Sequence, residues 1–565
     1  MTRRIFDRLL VPLGTEISLG HNRVRMALLA ALGVLLGLVG GVAAYVVVRL
    51  VGLLSNLALL HRVGVDLPNL SHYHPGPVLI PIALGGALVV ALLARWSPVI
   101  KGHGIPESFE AIVLRESRVA PRTALAKPLS AAVAMGTGGP FGAEGPIIVT
   151  GGSVGSLLGQ VMDVSPAERR ILLATGAAAG MAGVFATPVA AIVLAFELLL
   201  FERSLRSLLP LLLATGTATE LHYVLLGAHP LFAVQHPVGM PAAQLPMVAV
   251  LGLATGLLAV ALDKGLFAVE AGFRRLPVPE FFHPLLGALG FAVIGLAVPG
   301  SLSVGYWAIT DAVNGRFLLG AAAVLFVGKL ASWWVALASN TSGGTLAPIF
   351  LVGSTMGAVL GIGFADLFPS AHLHPGAFAL LGMGATFGVA ARAPLTGAVF
   401  ALEVTGDFRL IVPMLLVVGV AEVVGEQFLA ERLMTDKLVR RGFRVEFDTE
   451  TDPLRTSVAG QVMDPLPSCA LEQSAPRIDR HAYLSEALVA FLNSETDRVI
   501  VVDGEEPVGV LQRQTMRDAI AKRLAESVRQ PPSLAARRRR RVRVRRLDEE
   551  HAGTSAEEDE PLTHR

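Results

Sequence analysis

The stretch GAEGPI at Gly142–Ile147 recurs as GTLAPI at Gly344–Ile349, 202 positions further along the chain. The similarity extends past both stretches, because four later residues of the first copy match four of the second at the same offset. These residues are Gly151, Gly155, Leu158 and Gly159 in the first copy and Gly353, Gly357, Leu360 and Gly361 in the second. A glycine- and proline-rich segment that occurs twice in this way predicts a chain built from two related halves.

A second repeated block follows the first in both halves. PVAA at Pro188–Ala191 precedes Glu197, and PLTG at Pro394–Gly397 precedes the corresponding Glu403, with 206 positions between the copies. Membrane transporters with such repeats bind their substrate near the midplane, where broken helices of both halves meet. The alternative is a pair of similar interrupted helices that only pack their small faces together.

The composition predicts that lipid surrounds most of the chain. Of the 565 residues, 53% are hydrophobic and only 16% are charged, whereas soluble domains carry about 25% charged residues. Four apolar runs reach or approach the roughly 20 residues that a membrane span requires. These runs are Met26–Val48, Val78–Leu93, Met247–Leu262 and Phe317–Ala336, the last interrupted only by Lys329.

Two further apolar stretches, Gly142–Gly159 and Ala377–Leu402, are rich in glycine or broken by proline. Helices broken at membrane depth are tolerated only beside protein or a water-filled cavity. The composition therefore favours a channel or transporter core, and it excludes a soluble enzyme.

The sequence shows no metal, nucleophile or phosphate-loop pattern, and we expect neither a cofactor nor a nucleic-acid partner. The single cysteine, Cys469, excludes an intramolecular disulfide.

Composition also divides the chain into regions. Arginines precede the first apolar run, which predicts a cytoplasmic N-terminus by the positive-inside rule. They are Arg3, Arg4, Arg8, Arg23 and Arg25. We expect an N-terminal segment at 1–22, a transmembrane body at 23–440, a linker at 441–457, a small polar segment at 458–525 and a charged, disordered tail at 526–565. The expected location is the cell (inner) membrane, with many spans and both termini in the cytoplasm.

Three glycine- and proline-rich segments each open a plausible helix: Gly102–Pro106, Gly142–Pro146 and Gly343–Pro348. Proline fits the first helical turn, and glycine lets the backbone approach a ligand closely. The free N–H groups of the first turn and the positive end of the helix dipole together form an anion site. Three such termini that meet at the midplane would bind a small anion without a buried cation, which would hold it too tightly for rapid passage.

The three segments resemble, in order and spacing, the G-S-G-I-P, G-K/R-E-G-P and G-x-F-x-P motifs of the CLC family of chloride channels and chloride/proton exchangers. The resemblance covers about residues 20 to 440. It implies an all-α membrane protein with two inverted halves of broken, tilted helices, and a homodimer with one chloride pore per subunit. The residues that it assigns to anion binding are His103, Gly104, Ile105, Pro106, Gly142, Gly145, Gly344, Thr345, Leu346 and Ala347.

Glu144 matches the gating glutamate of the family. A carboxylate tethered beside an anion site can occupy that site itself, because two unit charges about 4 Å apart repel by about 4 kcal/mol at an effective dielectric of about 20. Protonation or an outward swing of the carboxylate then opens the path. The alternative is a structural ion pair. Lys127 matches a family lysine along the pore, where it either tunes the field at Glu144 or serves as a structural lysine.

This chain departs from the family pattern at several positions. His103 replaces the serine that usually contacts the anion; it either donates an N–H group or only packs at the helix end. Met434 aligns with the tyrosine that supplies a second hydroxyl, so the inner constriction should be apolar or wider. Thr345 and Leu346 replace the usual isoleucine and phenylalanine, which leaves the backbone donors in place.

The departure at Leu198 bears on the mechanism. Exchangers of the family usually carry a glutamate there that passes protons toward the gate, and leucine cannot carry a proton. Its neighbour Glu197 has the counterpart Glu403 in the other half, so we expect this pair to hold helix ends. The sequence therefore favours a gated, passive chloride channel; the alternatives are a chloride/proton antiporter with a different internal proton route and, as a third, a fluoride exporter.

The polar segment resembles one CBS motif, a cytoplasmic module of the family. It contains a helical stretch at Leu484–Leu492, a strand at Val499–Val502, a turn at Asp503-Gly504 and a second strand at Pro507–Leu511. Such motifs normally occur in pairs that bind adenine nucleotides, and only one copy is evident. The alternatives are a nucleotide site formed by two copies across the dimer and a simple packing module.

Overall fold

The structure, a computed structural model, describes residues 19–102, 104–162, 164–200, 204–237, 239–429, 432–433, 458–466, 475–494 and 496–528. The described residues up to 433 belong to one compact unit, here called the body, and those from 458 onward belong to a second unit. The expected residues His103 and Met434 lie outside the described residues, as do most of the N-terminus, the linker and the tail.

The described part of the body contains sixteen α-helices. They are α1 (Leu19–Leu60), α2 (Leu79–Trp96), α3 (Ile105–Leu114), α4 (Pro121–Gly136), α5 (Glu144–Val161), α6 (Pro166–Phe185), α7 (Pro188–Leu194), α8 (Leu205–Leu226), α9 (Leu245–Arg275), α10 (His283–Ala297), α11 (Tyr306–Val313), α12 (Leu319–Ala338), α13 (Leu346–Leu367), α14 (Pro375–Ala391), α15 (Pro394–Thr405) and α16 (Ile411–Phe428). Among the described helices, eight are long and apolar enough to cross a membrane: α1, α2, α8, α9, α10, α12, α13 and α16. Helix α1 begins ahead of the boundary expected at residue 23.

The repeat predicted from the sequence is present in the fold, with α1 to α8 in one half and α9 to α16 in the other. Helix α5 packs along α6, and its counterpart α13 packs along α14; α1 packs on α8 as α9 does on α16. Glycines allow the closest of these contacts. A Cβ atom at Gly151 would lie 2.1 Å from the carbonyl oxygen of Gly176, and one at Gly353 would lie 2.7 Å from that of Gly382.

The apolar stretch Ala377–Leu402 is broken as its proline indicates. Helix α14 ends at Ala391, Arg392 adopts a left-handed φ of 59°, and α15 begins at Pro394. The first half contains the same kind of break, because Ala186 has a left-handed φ of 54° between α6 and α7. The two halves thus repeat the backbone break as well as the helices.

The second unit folds as an α/β segment. Its described elements are α17 (Ala459–Val462), β1 (Arg477–Asp479), α18 (Leu484–Leu492), β2 (Arg498–Asp503), β3 (Glu506–Gln512) and α19 (Arg513–Val528). Strand β1 pairs parallel to β2, and β2 pairs antiparallel to β3 through a turn in which Gly504 has a positive φ. The helix and both strands predicted from the sequence are confirmed, and the three-stranded sheet fits a single CBS-like motif.

Candidate functional site

The two copies of the repeated stretch meet in the buried interior of the body. The amide N–H of Gly142 donates to the carbonyl oxygen of Gly344 at 3.0 Å, and the N–H of Gly344 donates to the carbonyl of Gly142 at 2.9 Å. This pairing is antiparallel, as expected for halves of inverted topology. Helix α5 begins at Glu144 and α13 at Leu346, so both helix N-termini start beside the pair.

The third glycine-rich segment joins the same place. Gly102 forms a parallel bridge with Ser342, and a Cβ atom at Gly104 would lie only 2.6 Å from the carbonyl oxygen of Gly145. Gly104 also has a φ of 105°, so glycine is required there for two reasons. Helix α3 begins directly after it at Ile105. Three N-termini therefore converge, and their N–H groups and dipoles suit a small anion.

Glu144 lies at this convergence. Its side chain is fully buried, and its Oε1 accepts a hydrogen bond from the Tyr306 hydroxyl at 2.6 Å. Its Oε2 rests against Gly142, where a Cβ atom would lie 1.8 Å from this oxygen and 2.9 Å from the Cβ of Ala347. The carboxylate thus occupies the space between the two paired stretches.

Tyr306 was missed by the sequence analysis. It is the first residue of α11 and follows Gly305, just as Ile105 follows Gly104 at the start of α3 in the other half. Its ring is packed between Phe185 and Phe232, with centroids 6.2 and 5.4 Å away. The offset of 201 between the two glycines is the signal that would have identified α11 as the counterpart of α3.

Two fully buried lysines, Lys127 and Lys329, occupy equivalent positions 202 residues apart. The Lys127 ammonium group donates to the carbonyl oxygens of Ile100 and Gly102 at 2.8 and 2.6 Å. These bonds hold the loop that leads to α3, which favours the structural alternative for this lysine.

The Lys329 ammonium group makes the corresponding contacts ahead of α11. It donates to the carbonyl oxygens of Ser301 and Ser303 at 3.1 and 2.8 Å. Lys329 also interacts electrostatically with Glu144. The sequence analysis noted this lysine only as an interruption in an apolar run, although the repeat offset would have paired it with Lys127.

Thr345 carries a further polar group at the site. It is the N-cap of α13, its side chain is fully buried, and its hydroxyl has no hydrogen-bond partner among the described residues. An N-cap hydroxyl normally accepts from the N–H of the second or third helical residue. The third helical residue here is Pro348, which has no N–H. Leu346 and Ala347 follow, both fully buried.

Glu197 and Glu403 hold helix ends, as their repetition indicates. Glu197 accepts from the amides of Leu395 and Thr396 at 3.0 and 2.8 Å and from the Thr396 hydroxyl at 2.6 Å, at the start of α15. Glu403 accepts from the amides of Val189 and Ala190 at the start of α7. Leu198 is buried in the turn that follows α7.

No group of three or more His, Cys, Asp or Glu residues in the described part of the chain is arranged to hold a metal ion. The site that the structure does show consists of backbone N–H groups, one carboxylate, two hydroxyls and one ammonium group. Such a set is suited to binding and releasing an anion rather than to covalent chemistry.

Comparison with known proteins identifies the family of this chain. A family model described as "Voltage gated chloride channel" matches residues 85–426. The chain is 31% identical over 336 residues to the H(+)/Cl(-) exchange transporter ClcA of Salmonella agona (strain SL483), which covers 58% of this chain and 70% of that protein. The structure of a slow cyanobacterial Cl−/H+ antiporter matches with a TM-score of 0.64 at 26% identity, over 73% of this chain and 97% of that one.

The structure of a CLC-type fluoride/proton antiporter matches with a TM-score of 0.61 over 73% of this chain and 97% of that one, and its 22% identity shows the fold alone. The family model spans more than half of the chain, and its match includes the paired stretches and the glutamate between them. This chain therefore belongs to the CLC family of voltage-gated chloride channels and chloride transporters.

Proposed function

We propose that this membrane protein exchanges chloride for protons, with Glu144 as the group that serves both ions. The observation that carries the proposal is the position of the Glu144 carboxylate between the paired stretches, where three helix N-termini converge. An ionised Glu144 carboxylate and a chloride ion bound beside it would repel each other, because both carry a negative charge. A carboxylate that takes up a proton loses this competition, so that chloride binding and proton binding become linked.

Similarity supports exchange over passive flow. The curated relative at 31% identity is named an H(+)/Cl(-) exchange transporter, and the solved structure at 26% identity is titled a Cl−/H+ antiporter. The fluoride/proton antiporter shares only the fold with this chain, so it does not favour fluoride as the substrate.

The second candidate is the gated, passive channel that the sequence favours. One observation supports it: Leu198 is an apolar, buried residue at the position where the resemblance places a proton-carrying glutamate. The names of the relatives favour the exchanger, and we therefore place the channel second.

In the proposed mechanism, chloride binds to the backbone N–H groups at the starts of α3, α5 and α13. The contributing segments are Gly104–Pro106, Gly142–Gly145 and Gly344–Ala347. When chloride enters, the Glu144 carboxylate leaves the space beside Gly142 and breaks its hydrogen bond with Tyr306. A protonated Glu144 carries its proton away from the site, and its return as a carboxylate expels the anion.

Paired flux measurements test this proposal. The full chain is reconstituted into chloride-loaded liposomes, the voltage is clamped with valinomycin and potassium, and chloride efflux and external pH are recorded together. Exchange predicts uphill proton movement in fixed proportion to chloride, and Glu144→Gln, which cannot ionise, should abolish proton movement while chloride still passes. Chloride efflux without proton movement in the unmodified protein would establish the channel instead.

A further inference from the structure

The proposed exchange requires a path for protons between the cytoplasm and Glu144. Leu198 cannot carry a proton, and the carboxylate of Glu197 is held by three hydrogen bonds at the start of α15. The structure must therefore supply another group if the proposed function is correct.

A cavity of about 330 Å³, here called the inner cavity, lies among α3, α4 and α5. Its rim includes Arg115 and Arg118, in the loop after α3. That loop is bound to the start of α6, where Arg169 donates to the carbonyl oxygen of Glu116 at 3.1 Å. The start of α6 also carries Glu168, which pairs with Arg25 and Arg206. By the positive-inside rule, the end of the body that carries these arginines faces the cytoplasm.

The wall of the inner cavity carries hydroxyl groups on two facing helices. Thr123 on α4 and Ser153 on α5 both line it, both are 1% exposed, and neither hydroxyl has a hydrogen-bond partner among the described residues. Buried hydroxyls without protein partners are normally hydrogen-bonded to water where space allows. At about 30 Å³ per water molecule, the cavity has room for on the order of ten.

Glu107 lies between the inner cavity and the anion site. It lines the cavity, and its Oε2 accepts from the amide N–H of Gly104 at 2.5 Å. Gly104 is in close backbone contact with Gly145, the residue next to Glu144. The Glu107 carboxylate is therefore connected through one glycine–glycine contact to the residue that follows Glu144.

The basic side chains that line the cavity do not keep protons out of it. Each has a carboxylate within 4 Å, and the pairs are Lys101 with Glu280 at 3.6 Å, Arg115 with Glu110 at 3.4 Å and Arg118 with Glu116 at 3.4 Å. A positive charge that is paired in this way repels a proton in the cavity much less than an isolated one.

We propose that the inner cavity is the cytoplasmic proton entrance and that Glu107 is its proton-accepting group. A hydronium ion of the cavity transfers its proton to the Glu107 carboxylate, so that one O–H bond forms as another breaks and water remains. The neutral acid then passes the proton through water to Glu144 and returns to the carboxylate form. The same steps in reverse release protons to the cytoplasm.

The decisive variant is Glu107→Gln in the full chain. The glutamine oxygen still accepts from the Gly104 amide, so the start of α3 keeps its hydrogen bond, but the side chain no longer carries a proton. Proton movement should fall by about 100-fold or more, the scale on which a positioned acid–base group acts, while chloride efflux persists. Glu197→Gln is the matched control, because it changes another helix-capping carboxylate and should keep both fluxes.

The outcomes separate this inference from the proposed function. Coupling in the unmodified protein that survives in Glu107→Gln overturns the inference and leaves exchange intact, whereas an unmodified protein without coupling overturns both. Loss of chloride efflux together with coupling in Glu107→Gln would make Glu107 a structural group and would also overturn the inference. If Glu107→Gln does not fold, Ser153→Val decides, because it replaces a hydroxyl of the cavity wall with an apolar group. Proton movement should fall selectively, and unchanged coupling would overturn the proposed entrance.

Discussion

At the scale of single residues, the hydroxyl of Tyr306 and the carboxylate of Glu144 form a side-chain contact between the two halves at the anion site. The two residues are 162 positions apart in the chain, and their hydrogen bond is 2.6 Å long. A hydrogen bond to an ionised group contributes about 1.5–3 kcal/mol. We therefore regard Tyr306 as a positioning residue that holds the carboxylate in the space that chloride would take.

We expect Tyr306→Phe to speed chloride efflux. The change removes one hydroxyl, so the carboxylate loses about 1.5–3 kcal/mol of stabilisation in its resting position, or roughly 10- to 100-fold in the equilibrium for leaving it. Efflux from liposomes at fixed voltage measures the effect, and Tyr223→Phe, a half-exposed tyrosine of α8, is the control. An unchanged or slower efflux in Tyr306→Phe alone would contradict the assigned role.

At the scale of helices, glycine contacts set the distance between neighbours. Helices α5 and α6 approach so closely that the carbonyl oxygen of Gly176 faces Gly151 and the oxygen of Gly151 faces Gly176. The same geometry recurs between α13 and α14. Because α5 carries Glu144 at its N-terminus, this packing also determines where the carboxylate stands relative to the other half.

Gly151→Ala should destabilise the body, whereas Gly152→Ala should not. A Cβ atom at position 151 would lie 2.1 Å from a backbone oxygen, so the helices must separate, while one at position 152 would make ordinary contacts at 3.5 Å. Overpacking of this kind costs about 1–3 kcal/mol, partly offset by the better helix propensity of alanine. Thermal unfolding in detergent measures the difference, and equal melting temperatures for the two variants would show that the contact can relax.

At the scale of the whole molecule, each half contributes one paired stretch and one short helix to a single site within the chain, and the second half adds the buried Lys329. The pairing of Gly142 with Gly344 closes this site inside one body. Since the site uses both halves of the same chain, a pore does not need residues of a second chain, in keeping with the one pore per subunit implied by the resemblance.

We expect the full chain to be a homodimer whose two pores work independently. Single-molecule photobleaching of labelled protein in dilute liposomes should show two steps for most particles. In mixed dimers with one Glu144→Gln subunit, the unmodified subunit should still couple chloride to protons, since no residue of its site is shared. A predominance of single-step particles would contradict the dimer, and loss of coupling in the mixed dimers would contradict independence.

Much of the fold follows from patterns within short stretches of sequence. The apolar runs predict the spans because lipid requires about 20 apolar residues in a helix, and the breaks at Pro188 and Pro394 follow from the conformation of proline. That Glu197 and Glu403 hold helix ends was predicted from their places in the two repeats, whereas the structure shows that each caps a helix of the other half. The start of α1 was not predicted, because the residues ahead of its apolar run are polar and still helical.

By itself, the sequence determined that lipid surrounds most of the body and that the body has two related halves. It also determined the three segments that open helices at the anion site and the α/β character of the second unit. Each of these depends on residue types at fixed local spacing. Only the tertiary structure decided that Tyr306 contacts Glu144, that Lys127 and Lys329 each hold a loop and that Glu107 adjoins a cavity. Such contacts join residues far apart in the chain, and they depend on how closely the helices pack and at which angle, which no local pattern records.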